Sequence, residues 1–307
     1  MRRVALTIPM LFIISLLSFA LLYYSPGDSA SIILRKKASS SVLTKEDIEE
    51  FSESKGLNKG FMSLFGKWIS GIIRGDLGKS YLNDENINLK LFKYFNITIF
   101  MSTVGIFVYL FFGIIVGMYL GTKPKGIIDK IVRYWAVLAS SVPVFWIALF
   151  IVWFFSVKMK MLTTIGSRNI SSLFLPGFIT GIIPAGNLIM IIKEKTKLVL
   201  REPFIISARA MGLRTWTIMS RHVLKNIMAP VISMIALTFP YFIGFSLIME
   251  QVFSIKGFGF YLGNAINLKD YMIVASGIMV IGILVSFVNL IADIIYILID
   301  RRDIYEK

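Results

Sequence analysis

LREPFIISARAMGLRTWTIMSRHVLKN, residues 200–226, is a basic interval between two long apolar runs. Pro203 suits the first turn of a helix, and Gly212 suits a left-handed helix end. A short helix is therefore expected over about 203–212. Ala208 and Gly212 lie four residues apart, which leaves one side of that helix almost bare. Arg209 and Arg214 flank it. Such a helix is too short to cross a bilayer and too small-faced to anchor itself in lipid. It suits a groove on another protein, against the plainer alternative of a basic loop that only sets membrane topology.

Outward from this interval the chain is strongly apolar. Of 307 residues, 56% are hydrophobic and 17% charged, and the mean hydropathy is +0.75. Soluble domains carry about a quarter charged residues, so lipid is the expected solvent. Six stretches lack charge over the ~20 residues that a span needs: 4–27, 94–122, 134–157, 169–192, 226–249 and 271–292. The last continues past Asp293 to Ile299. An all-α integral membrane protein with six transmembrane helices follows. The first stretch begins Met-Arg-Arg, as a signal peptide would, but it exceeds the ~7–15 residues of a signal core. Tyr23 and Tyr24 also suit an interfacial anchor, so an uncleaved helix is expected.

Lys and Arg set the orientation. With the N-terminus inside, 17 of the 33 basic residues fall in inner segments and five in the two short outer loops. Both termini are then cytoplasmic. The net charge of +15 is assigned to cytoplasmic loops, with no nucleic acid partner. There is no Cys and one His, His222. A disulfide framework, a thiol nucleophile and a histidine-built metal site are not expected.

The outer loop, residues 28–93, contains Gly75-Asp-Leu-Gly-Lys-Ser80. Gly-Lys-Ser ends the phosphate-cradling loop of nucleotide hydrolases, which needs a glycine five residues before the Gly-Lys pair. Ile73 stands there, and the segment lies on the outer side, so a glycine-rich turn is the reading. Thr44 is expected to cap a helix stopped by Gly56. Phe61, Leu64, Phe65, Trp68, Ile69 and Ile72 recur at helical spacing. That amphipathic helix either packs on the bundle, the preferred reading, or lies on the membrane surface. The organisation expected is a first helix to 27, an outer loop 28–93, a transmembrane domain 94–300 with its inner loop at 196–226, and a tail 301–307.

Several motifs, in order, resemble one family. SARAMGLRTWTIMSRHVLKN (207–226) resembles the cytoplasmic signature loop of permeases from binding-protein-dependent ABC importers, closest to the peptide/nickel subgroup. WISGIIRGDLGKS (68–80), SVPVFWIALFIVWFFSVKMKMLTTIG (141–166), EQVFSIKGFGFYLGNAINLKDY (250–271) and NLIADIIYILIDRR (289–302) are similar to its other motifs. Thr163 and Lys256 stand where the subgroup usually has Pro, and the older consensus glutamate before Ala208 is absent.

The resemblance implies a type I ABC importer permease fold in the bacterial plasma membrane. Glu202, Pro203, Ser207, Ala208, Arg209, Ala210, Gly212, Leu213 and Arg214 would then form a coupling segment seated in a cytoplasmic ATPase. It implies two such ATPases, which carry ATP and Mg, a homologous second permease and an extracytoplasmic substrate-binding protein. This chain would bind no cofactor and be no enzyme. Cargo would be dipeptides or oligopeptides, with nickel or a metal-chelate as the alternative.

Alternating access needs two helix packings of similar energy. Pro143, Pro176, Pro184, Pro230 and Pro240 interrupt or border the expected spans, and Gly105, Gly113 and Gly117 give small-residue spacing that suits close helix packing. Candidate pathway residues are Ser140, Ser141, Pro143, Trp146, Asn187, Tyr241 and Ser246; ordinary helix contact is the competing reading for each. Asp293, with Asn289 one turn before it, is a structural or proton site, and pairing with a base near the inner face is preferred. Glu250 is expected at the interface. A secondary carrier is the remote alternative, since only Asp293 is an embedded acid and no internal repeat is visible.

Overall fold

In hydrocarbon every main-chain N–H and C=O must be satisfied within the protein, and a long uniformly apolar run does this as a helix. The computed structural model describes residues 2–38, 43–123, 126–159 and 170–299. Its helices are α1 (Arg2–Tyr23), α2 (Ser29–Ala38), α3 (Lys45–Lys55), α4 (Phe61–Ile73), α5 (Ile87–Thr122), α6 (Ile127–Ser141) and α7 (Val144–Val152). Then come α8 (Ile170–Val199), α9 (Pro203–Ala210), α10 (Thr215–Thr217), α11 (Leu224–Val252), α12 (Phe258–Asn267) and α13 (Tyr271–Ile299). The expected tail 301–307, with Arg301 and Arg302, lies outside the described residues, as do Lys160, Thr163 and Arg168.

Among the described residues, four helices are long and apolar enough to cross a membrane: Ile87–Thr122, Ser172–Val199, Thr215–Val252 and Tyr271–Leu298. The stretch expected as one continuous third span is instead broken. Ile127–Ser141 and Phe145–Phe155 form a pair bent by 109°. Pro143 has no N–H and crowds the residue before it. Val142 is accordingly extended, with φ −99° and ψ 129°, and α6 ends there. Pro176, Pro184, Pro230 and Pro240 lie inside continuous helices. The expected first span corresponds to α1, of which Thr7–Tyr23 is a shorter apolar helix.

Two compact units divide the chain: residues 1–97 with 256–286, and residues 98–255 with 287–307. In the first, the long loop is ordered helix by helix. Thr44 and Asp47 form a capping box, and Gly56 closes α3 in the left-handed region with φ +67°. The Thr44 hydrogen bonds hold the Asp47 carboxyl below its ordinary pKa. The amphipathic α4 packs inward: Leu64, Phe65 and Trp68 are buried. Phe65 meets Phe12 and Phe19 edge-on, and Trp68 Nε1–H donates to Ser276 Oγ at 3.0 Å. GDLGKS is the expected turn, with Gly75 and Gly78 at φ +77° and +88° and an isolated bridge from Lys79 to Asn86. Ser80 Oγ and the Tyr81 N–H donate to Asp270 Oδ2 at 2.8 and 2.9 Å. This fastens the loop to the start of α13.

In the second unit α5 and α8 touch at residues without bulk. Gly113 lies against Leu188, and Gly117 against Ile192. The spacing in α5 thus serves close packing. Its partners on α8, Gly177 and Gly181, complete the contact. A Cβ at 181 would fall 2.2 Å from the Gly105 carbonyl oxygen. Main chain blocks that position, and no rotamer relieves it. Gly181→Leu is therefore expected to destabilise the folded chain by more than the ~1–3 kcal/mol typical of overpacking. Loss of the monodisperse peak in detergent gel filtration checks this.

Candidate functional site

Two features of the second unit concentrate the expected site residues. One is the interval between α8 and α11; the other is a polar cleft among α6, α8 and α11.

Pro203 stands at the start of α9 as expected. Ser207 Oγ–H donates to the Pro203 carbonyl at 3.1 Å. Gly212 has φ +78°, and the Leu213 N–H closes the helix by donating to Ala208 O at 3.2 Å. Glu202, Pro203, Ser207, Arg209, Ala210, Gly212, Leu213 and Arg214 are all exposed.

Ala208 differs, and the bare-face reading is corrected. Ala208 is 2% exposed and Ile205 0%. The surface that approaches Ala208 belongs to this chain: Val199, Ile218, Val223 and Ile227 share its buried cluster. A side chain at 205 or 208 points back between α8 and α11, while 204, 206 and 207 point away. The outward side of the 202–216 segment therefore carries exposed apolar side chains among Glu202, Ser207, Arg209 and Arg214. Ile206 is 60% exposed, Met211 75% and Trp216 79%. Phe204 stands beside His222, with ring centroids 6.2 Å apart. Helical periodicity from Ile205 to Ala208 could have shown this, because an isoleucine and an alanine three residues apart form an inward stripe. The short length of the segment hid it.

The cleft encloses about 580 Å³. Five expected pathway residues line it: Ser140, Ser141, Pro143, Asn187 and Tyr241. Thr238, Leu237, Ile183 and Pro184 complete most of the wall, and among the described residues no charged side chain contributes. Asn187 Nδ2–H reaches Ser140 Oγ at 3.5 Å. The helix break at Pro143 opens this space, because α6 does not continue along α8.

Trp146 and Ser246 do not line the cleft. Trp146 is 65% exposed, on α7 beyond the break. Ser246 is buried and shares a 2.9 Å hydrogen bond with Ser102. One turn away Thr98 Oγ1–H donates to the Glu250 carboxylate. Glu250, expected at the membrane interface, is fully buried within the bundle. The positions run 98 and 102 on α5 and 250 and 246 on α11, so one antiparallel seam carries both pairs. Asp293 and Asn289 are both half-buried on α13, and the nearby bases Arg301 and Arg302 lie outside the described residues.

A further pair escaped the sequence. Lys193 on α8 and Asp129 on α6 are buried, with Nζ 2.5 Å from Oδ1. Lys193 was counted only among the basic residues of an inner segment, and Asp129 was not singled out.

An all-helical bundle with broken and proline-bearing helices, an uncharged cleft and an exposed connecting helix defines a membrane transport component. The chain belongs to the family of binding-protein-dependent transport system inner membrane components, whose model matches residues 113–303. A model for the N-terminal part of such membrane components matches residues 1–102. The chain is thus a multi-pass membrane permease subunit with the type I importer fold. It is 27% identical to the dipeptide transport system permease protein DppB of Alkalihalophilus pseudofirmus, over 98% of both chains. It is 27% identical to the oligopeptide transport system permease protein AppB of Bacillus subtilis, over 98% of this chain and 97% of that one. To the glutathione transport system permease protein GsiC of Shigella flexneri it is 28% identical, over 96% and 95%.

The two faces of α9 make separable demands. Ile205→Ala is expected to destabilise the purified chain by about 2–5 kcal/mol, as buried truncations do. Ile206→Ala is expected to stay within about 0.5 kcal/mol. Thermal unfolding in detergent, followed by tryptophan fluorescence, separates them.

Proposed function

We propose that this chain is one of two permeases in an ATP-driven importer of dipeptides or oligopeptides, and that residues 202–214 take force from a cytoplasmic ATPase. The observation that carries the reading is the two-faced α9. Ile205 and Ala208 fix it to the α8–α11 core, while Phe204, Ile206, Met211 and Trp216 stand exposed. An exposed apolar ridge beside Arg209 and Arg214 suits a groove on a soluble partner. Force applied to that ridge enters the core directly, because the helix has no slack between its two faces.

ATP and Mg belong to the ATPases in this reading, and the chain binds no cofactor. Its second permease is homologous, and a binding protein delivers cargo from outside. The basic inner segments support a cytoplasmic location for both termini in a bacterial cell, and six spans result if α1 and the bent α6–α7 pair each cross. An uncharged cleft with Ser, Thr, Tyr and Asn groups suits weak contacts to peptide amides of any side-chain charge. The DppB and AppB relatives are named for peptide cargo, which puts peptides before nickel or a metal-chelate. Asp293, with Asn289 one turn before it, is kept as a structural or proton site on α13, with pairing to a base near the inner face preferred.

Trp216→Ala combined with Ile206→Asp should reduce co-purification of the ATPases about 30-fold, as loss of an interface anchor does. The permease itself should stay folded. Pull-down from detergent extracts measures this, and undiminished capture would remove the docking role. In proteoliposomes holding the complete complex and its binding protein, a dipeptide or oligopeptide should accumulate only with ATP. Accumulation of a nickel chelate in its place would reassign the cargo.

A further inference from the structure

The buried Asp129–Lys193 pair lies on the seam between α6 and α8. Seven residues along each helix, about 10 Å at 1.5 Å per residue, Ala136 meets Gly186. A Cβ at 186 would fall 2.9 Å from the Ala136 Cα. Beyond it the Trp135 Nε1–H donates to Ile182 O at 3.1 Å, and Asn187 reaches Ser140. The seam thus joins two places. Lys193 stands six residues before Val199, which packs with Ile205 and Ala208 of α9. Ser140, Ser141, Val142 and Pro143, at the far end of α6, form one wall of the cleft.

Apolar contact is non-directional, so it sets helix register less specifically than a paired charge does. A paired charge out of water resists separation, because each ion left alone has lost its hydration. Lys193 is the buried cation on Asp129. Arg133, largely exposed, is 3.7 Å from the other carboxylate oxygen, and Glu194, also exposed, is 3.8 Å from Lys193 Nζ. The exposed charges have water as an alternative partner; the buried ones do not.

We infer that Asp129 and Lys193 are positioning residues for transport: they lock the register of α6 on α8, so displacement of the 203–212 segment moves the cleft wall at 140–143 as one body. The inference rests on the coupling role given to that segment above.

The test uses the complete complex in proteoliposomes, reading peptide uptake, ATP hydrolysis and thermal unfolding together. Wild type must first show ATP-dependent peptide uptake; its absence would count against the proposed function and leave the ion pair out of the account. Single variants such as Asp129→Leu leave a buried charge unpaired and need not fold. The neutral double variant Asp129→Leu/Lys193→Met keeps apolar volume without either charge. It should unfold at the wild-type temperature and hydrolyse ATP normally, yet move about tenfold less peptide per ATP, a magnitude typical of coupling energies. The reversed pair Asp129→Lys/Lys193→Asp should recover most of that loss. Wild-type uptake per ATP in the neutral double variant would overturn the inference. So would a parallel fall of assembly, hydrolysis and uptake, which would make the pair purely structural.

Discussion

In lipid no hydrophobic force sorts one apolar helix against another, because acyl chains are as apolar as leucine. Shape and a few polar contacts must do it. In the second unit the decisive contact is that of Gly105 with Gly181, where two main chains touch. That approach carries α8 close enough to α5 for Leu188 and Ile192 to seat on Gly113 and Gly117. With α8 fixed, its far end at Val199 sets where α9 can begin. The helices around it are then placed by polar groups: Ser102 and Thr98 on Ser246 and Glu250, and Asp129 on Lys193.

The residues proposed for function are ones that do not pack. In that reading the outward side of α9 is free for a partner, because Ile205 and Ala208 on the opposite side are committed to the core. The cleft exists because Pro143 ends α6, leaving Ser140 and Asn187 with open space between helices. Prolines inside α8 and α11 do not break their helices, so the same residue type has two outcomes. At Pro143 the preceding Val142 has taken the extended conformation. At Pro184 and Pro240 the helix runs on, with neighbouring helices available to satisfy the freed carbonyls.

Much of this was readable in the chain. Charge-free runs located the long helices, and Pro203 and Gly212 bracketed α9 because both act through local φ and donor constraints. Five of seven proposed pathway positions meet in one cleft. Ser246 misled because a serine in a span reads the same whether it faces a cavity or another serine. Ala208 misled because a small side chain permits close approach without saying from which side. Glu250 and Asp129 were invisible as buried groups, since their partners lie 152 and 64 residues away.

Sequence by itself determined the apolar character, most of the long helical segments and the family, since each depends on composition or on neighbours within a few residues; the break at Pro143 in the expected third span emerged only in the structure. Tertiary structure alone decided which face of α9 is inward, where the cleft opens and which charges are buried together. Those depend on contacts between segments far apart in the chain, where the side a residue presents follows from packing and not from its type.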